Sequence, residues 1–131
     1  MAGSFTSVAQ GMVLDWLFQP GASPTRPTAF YLSLHTGANG GAGANNEIST
    51  TGTGYARQLT TFTRVGNLIS NTSAIGFGPA TSAWGTVTDC CVWTAATGGV
   101  CLAQGTDSAS VTYATNDTAT IAPGAQTLTL T

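Results

Sequence analysis

Residues 28–36 read Thr28-Ala29-Phe30-Tyr31-Leu32-Ser33-Leu34-His35-Thr36, and their alternation decides the class of fold. Phe30, Leu32 and Leu34 fall on one side of an extended chain, and Tyr31, Ser33 and His35 on the other. A period of two, rich in aromatic and aliphatic residues, marks a strand that packs one face on a core. Downstream, residues 57–64, 67–71, 74–78, 85–95, 100–106, 110–114, 118–122 and 126–130 carry similar short runs. Between them stand Val65-Gly66, Gly78-Pro79, Thr97-Gly98-Gly99 and Pro123-Gly124, where glycine's freedom and proline's fixed φ favour bends. Eight or nine short strands so spaced predict a mostly β domain, a jelly-roll-like antiparallel sandwich. Residues 85–95 set Val87, Asp89, Cys91 and Trp93 on one face, with Thr88, Cys90 and Val92 on the other. Apolar residues on both faces place that strand in the middle of the fold.

Upstream of residue 28 the pattern changes period. Phe5, Val8, Ala9, Met12, Val13, Trp16 and Leu17 recur every three or four residues, which predicts one amphipathic N-terminal helix. Ser4 is the expected N-cap and Pro20-Gly21 the stop. Pro20, Pro24 and Pro27 then make a stiff, extended linker. The expected division is therefore a helix with its linker over residues 1–27 and a β-sandwich over 28–131. The helix stripe either folds back on its own sheet or docks on another chain.

Residues 37–54 are nearly free of large side chains, with Ile48 the exception. A stretch of that length without regular structure is usually functional or mobile. Its glycines do not make a phosphate loop, because the lysine such a loop requires is missing.

Composition narrows the function. Thr is the commonest residue, there is no lysine, and charged residues make up 6% of the 131. So little charge gives weak protection against association, which fits either a hydroxyl-rich surface or one covered by partners. A formal charge of −2 with Arg26, Arg57 and Arg64 as the strong cations excludes the basic stripe that nucleic acid demands. No apolar run approaches the roughly 20 residues of a membrane-spanning helix. The first residues lack the basic n-region of a secretory signal, so export by that route is not expected.

No constellation for catalysis emerges. His35 is the single histidine, and no partner motif accompanies it, so a satisfied surface or interface role is expected. Asp15, Glu47, Asp89, Asp107 and Asp117 form no recognisable acid/base pair. Cys90, Cys91 and Cys101 lack zinc-ligand spacing, and adjacent strand residues diverge, so they are expected to be small apolar packers. No catalytic, metal or cofactor residues are assigned.

Three stretches nevertheless form a linked pattern: Tyr31–Gly37 (YLSLHTG), Asn46–Phe62 (NEISTTGTGYARQLTTF) and Asn71–Asp89 (NTSAIGFGPATSAWGTVTD). ATGG and IAPGAQTLTLT follow them. The GYARQ…ATxxWGTVT…ATGG layout resembles a family of small tailed-phage virion proteins, variously labelled tail fibre or head decoration (cement) proteins. The resemblance runs from about residue 28 to 131, and a preceding apolar helix is usual in that family. Asp89-Cys90-Cys91 and Asn116-Asp117 depart from its pattern. It implies a non-enzymatic structural protein on the exterior of a virion, made in the bacterial host cytoplasm. The leading expectation is a decoration protein that bridges major capsid subunits and associates with itself as a homodimer or homotrimer. The alternative is a tail-associated fibre or adaptor protein. The residues expected at a partner or subunit interface are Phe5, Val8, Met12, Trp16 and Leu17, with Tyr55 and Arg57. For the last two, and for Trp84, the competing expectation is that they hold their own loop, Arg57 by gripping a carboxylate or capping carbonyls.

Overall fold

The computed structural model describes residues 2–129. Among them one helix and ten strands follow one another. They are β1 (Ala2–Phe5), α1 (Ser7–Phe18), β2 (Phe30–His35), β3 (Gln58–Thr60), β4 (Phe62–Val65), β5 (Leu68–Asn71), β6 (Ile75–Phe77), β7 (Gly85–Trp93), β8 (Cys101–Tyr113), β9 (Ala119–Ile121) and β10 (Thr127–Thr129). The mostly β architecture with a helix near its start is the one that the alternation predicts. The expected strand 57–64 is broken at Thr61 into β3 and β4, and the runs 100–106 and 110–114 are one long strand, β8. Leu130, expected at the end of the last strand, lies outside the described residues.

Eight strands form one sheet in the order β3-β2-β7-β8-β1-β10-β5-β4, while β6 and β9 pair separately. The large sheet curls until its ends meet. Its two end strands, β3 and β4, are separated in sequence by Thr61 alone, and Phe30 of β2 meets Phe62 of β4 edge to face at 5.9 Å. The result is a flattened, nearly closed barrel, and curling in this way leaves little unpaired edge. Its pairings are antiparallel with one exception: β1 runs parallel to β10 while pairing antiparallel with β8.

Inside lie Leu32 and Leu34 of β2, Val87, Cys90 and Val92 of β7, Ala103 of β8 and Leu128 of β10. Ile75, Phe77 and Ala119 of the small sheet close the core together with Tyr55 and Trp84. Strict alternation places Val87 with Cys91 and Trp93, and here the structure corrects the sequence. The register is broken between Val87 and Asp89, where Thr88 alone of β7 stands against residues 107–110 of β8. Alternation does not carry across such an irregularity, and Val87 shares the interior with Cys90 and Val92.

The N-terminus differs from expectation in a second way. Ala2–Phe5 is a strand, and the helix N-cap is Thr6, not Ser4. Thr6 Oγ1 accepts a hydrogen bond from Ala9 N at 3.3 Å and lies 2.8 Å from the carbonyl oxygen of Cys101, to which it donates. The cap thus fastens the helix start to β8. Beyond it the helix leaves the barrel surface: Ala9 is its one buried residue. Because β1 is an interior strand of the sheet, the segment ahead of α1 belongs to the barrel and is not a free arm.

Candidate functional site

Two features stand out: a polar network on the outer face of β2 and β7, and the exposed helix α1.

The network is covered by the glycine-rich stretch 37–54, which folds back along β2. Thr36 N donates to Asn46 O at 2.9 Å, Ile48 N donates to Leu34 O at 3.2 Å, and His35 bridges Glu47. Ile48 is buried against the core. The stretch is therefore a cover with defined contacts. Trp84 anchors it by donating Nε1–H to Thr53 O at 2.8 Å, while its ring meets Tyr55 edge to face at 5.8 Å.

Arg57 is the node. Its Nε and Nη2 each lie 2.8 Å from one oxygen of Glu47, a bidentate grip. Nη1 donates to Gly98 O at 2.8 Å and Ala95 O at 3.2 Å, and the guanidinium sits 3.7 Å over the Trp93 ring. Burial pushes the Glu47 carboxyl up, but the hydrogen bonds and charge of Arg57 outweigh it and hold Glu47 below its ordinary value. Tyr55 accepts from Leu34 N at 2.9 Å and donates to Glu47 Oε1 at 3.2 Å; burial pushes its phenol up. Tyr55 and Arg57 both reach Glu47, and so they hold their own loop. Both polar ends are engaged inside this chain, with Tyr55 buried.

Beneath Arg57 lies a pair that resembles a nucleophile and its base. Asn45 O can only accept, so His35 Nδ1 carries the proton and donates across 2.7 Å. Nε2 is then free to accept from Ser33 Oγ, also at 2.7 Å, while Trp93 Nε1–H donates to the same oxygen at 2.8 Å. Ser33 and His35 are 0% exposed, so the pair is sealed and ties β2 to β7 and the covering loop. Burial lowers the His35 pKa, partly offset by the Asn45 bond. The expected surface or interface histidine is thus an interior one, because the loop lies on the face that alternation alone left open.

The cysteines separate as strand geometry requires. Cys90 points inward and donates to Gln126 Oε1 at 3.3 Å, whereas Cys91 and Cys101 share the outer face with Trp93. Among the described residues no group of His, Cys, Asp and Glu is arranged to hold a metal ion.

The helix presents the opposite character. Leu14, Trp16, Leu17 and Phe18 are 57%, 68%, 55% and 75% exposed. Val8 and Val13 are exposed too, and Met12 is half-buried. The expected stripe of Val8, Met12 and Trp16 exists, but Leu14 and Phe18 lie on the other side, so the helix is apolar nearly all round. Met12, Val13 and Trp16 also face Pro24, Arg26 and Pro27 of the returning linker across an apolar groove. Phe5 does not join them: it is a β1 residue lining a hollow with Arg64, Ile69 and Leu128.

The family Gp80, described as podophage GP4 fiber I protein gp80, matches residues 4–129. No curated protein matches the chain.

Proposed function

The chain belongs to the family of the podophage GP4 fiber I protein gp80, a family of structural phage-virion proteins, and from that premise we propose that it is a fibre component that joins its particle through α1. The observation that carries this reading is the helix itself. Leu14, Trp16, Leu17 and Phe18 all stand in solvent, around a segment whose one charged residue is Asp15. A monomer gains nothing from such exposure, whereas burying it against a neighbour contributes about 25 cal/mol per Å² before ordering costs. Grouped apolar side chains of this size are a feature of protein contact surfaces. The barrel beside it supplies a platform on which Ser33, His35, Glu47, Tyr55 and Arg57 already bind groups of this same chain, which suits a structural part.

The neighbour in this reading is first a second copy of the chain, in a dimer or trimer on a virion symmetry axis. A second reading keeps the decoration role, in which many copies bridge major capsid subunits on the exterior of the head. The 6% charge and the likeness of the GYARQ…ATxxWGTVT layout to head decoration proteins favour it.

Copy number in purified particles separates the two: a handful for a fibre, hundreds for a decoration protein. The attachment surface is tested by the combined variant Trp16→Ala, Leu17→Ala, Phe18→Ala. It should fold as the parent does and be absent from particles; normal incorporation would move the contact to the barrel.

A further inference from the structure

We infer that Cys91 and Cys101 form a paired dithiol that a peroxide converts into a disulfide joining β7 to β8, with Cys90 standing outside the reaction. Three observations carry it. First, β7 pairs Trp93 with Cys101 next to a register shift at Val92/Trp93, which makes Cys91 the diagonal neighbour of Cys101 on the same face. The two residues pack in one buried cluster with Trp93. Second, both sulfurs occupy the space that a side chain at Gly43 would take. A Cβ built there would stand 2.5 Å from Cys101 Sγ and 3.2 Å from Cys91 Sγ. Gly43 at φ 76 lets the loop close over two sulfurs that share one small chamber. Third, Cys90 cannot compete, because it lies on the inner face, bonded to Gln126.

The electrostatics assign the roles. The neighbouring thiol is the largest influence on each: it raises Cys91, which burial raises further, and lowers Cys101. Arg57 also favours the Cys101 thiolate. Cys101 is thus the thiol that ionises, and the thiolate is the nucleophile. It attacks one oxygen of hydrogen peroxide; the O–O bond breaks and hydroxide leaves, taking up the released proton as water. The sulfenic acid left on Cys101 is then attacked by the Cys91 sulfur. The S–O bond breaks, and hydroxide departs with the Cys91 proton as a second water. Two thiols and one peroxide give one disulfide and two waters. A virion protein is made in a reducing cytoplasm and later meets an oxidising exterior, so the bond would form after assembly. It would tie β7 to β8 beneath the loop and restrict the unfolded chain.

The test uses the full chain treated with hydrogen peroxide, quenched, unfolded and titrated for thiols. The count should fall from three to one, the mass should drop by two hydrogens, and peptide mapping should link Cys91 to Cys101. The thermal midpoint should rise and return after treatment with dithiothreitol. Cys90→Ser should still lose both remaining thiols, while Cys101→Ser should keep its two and form no disulfide. Survival of all three thiols under conditions that oxidise the unfolded chain would overturn the inference. So would a bond that includes Cys90 or links two chains, or a sulfinic acid at Cys101 beside an intact Cys91.

Discussion

The guanidinium of Arg57 lies 3.7 Å over the ring of Trp93 and, from that position, reaches both oxygens of Glu47. One side chain therefore joins the covering loop, the outer face of β7 and the turn that leads to β8. Arg57→Ala should leave the Glu47 carboxylate half-buried and unpaired, at a cost of about 3–5 kcal/mol. Arg57→Lys should recover part of this, because an ammonium supplies charge but not the bidentate fork. Denaturant midpoints of the three proteins check the order.

Acid should weaken the fold in two stages. His35 is held below its ordinary value of 6.5, so the unfolded chain takes up a proton first and stability falls once the pH drops below about 6.5. Glu47 is held below its ordinary 4.5; its contribution is complete above 4.5 and is lost as the pH falls through its lower, folded value. Each proton contributes a slope of at most about 1.4 kcal/mol per pH unit. Urea midpoints measured from pH 8 to 3 should show both steps, and His35→Gln should abolish the first. A wild-type midpoint that stays flat between pH 7 and 5 would refute the His35 assignment.

Two glycines on the covering loop should respond differently to alanine. Gly43 and Gly52 both have positive φ, 76 and 70, but only at Gly43 would a Cβ strike Cys101, at 2.5 Å. Gly52→Ala should cost about 1–2 kcal/mol for the left-handed backbone alone. Gly43→Ala should add an overpacking penalty of about 1–3 kcal/mol. Thermal unfolding of the two variants measures the difference.

The helix should divide into a structural start and an end that is neutral for folding. Thr6→Ala removes the cap and its bond to Cys101 O, and should cost about 1–2 kcal/mol. Trp16→Ala and Phe18→Ala should change stability by less than about 0.5 kcal/mol, since neither side chain packs on the barrel. The same two changes should shift light scattering at micromolar concentration from oligomer towards monomer.

How much of this was legible depends on the range over which each feature is encoded. β2 was readable because alternation over six residues needs no knowledge of any other strand. So was the β4–β5 hairpin, whose bend at Gly66 has a φ of 62 that glycine adopts freely. The helix body could be read as well, with its end before Pro20. Arg57's grip on a carboxylate and Trp84's hold on a loop were foreseen in kind, although the partners were not named.

The sequence alone thus settled the set of local conformations: strands, bends and one helix. Tertiary structure alone decided which faces are covered. A break in the β7–β8 register left Val87 facing inward, the loop 37–54 closed over Ser33 and His35, and Ala2–Phe5 entered the sheet beside β10. The physical reason is that pleat and turn preferences act within a few residues. Burial of a given face depends instead on segments tens of residues away, and four residues such as AGSF carry too little pattern to announce a strand until neighbours on both sides supply its hydrogen bonds.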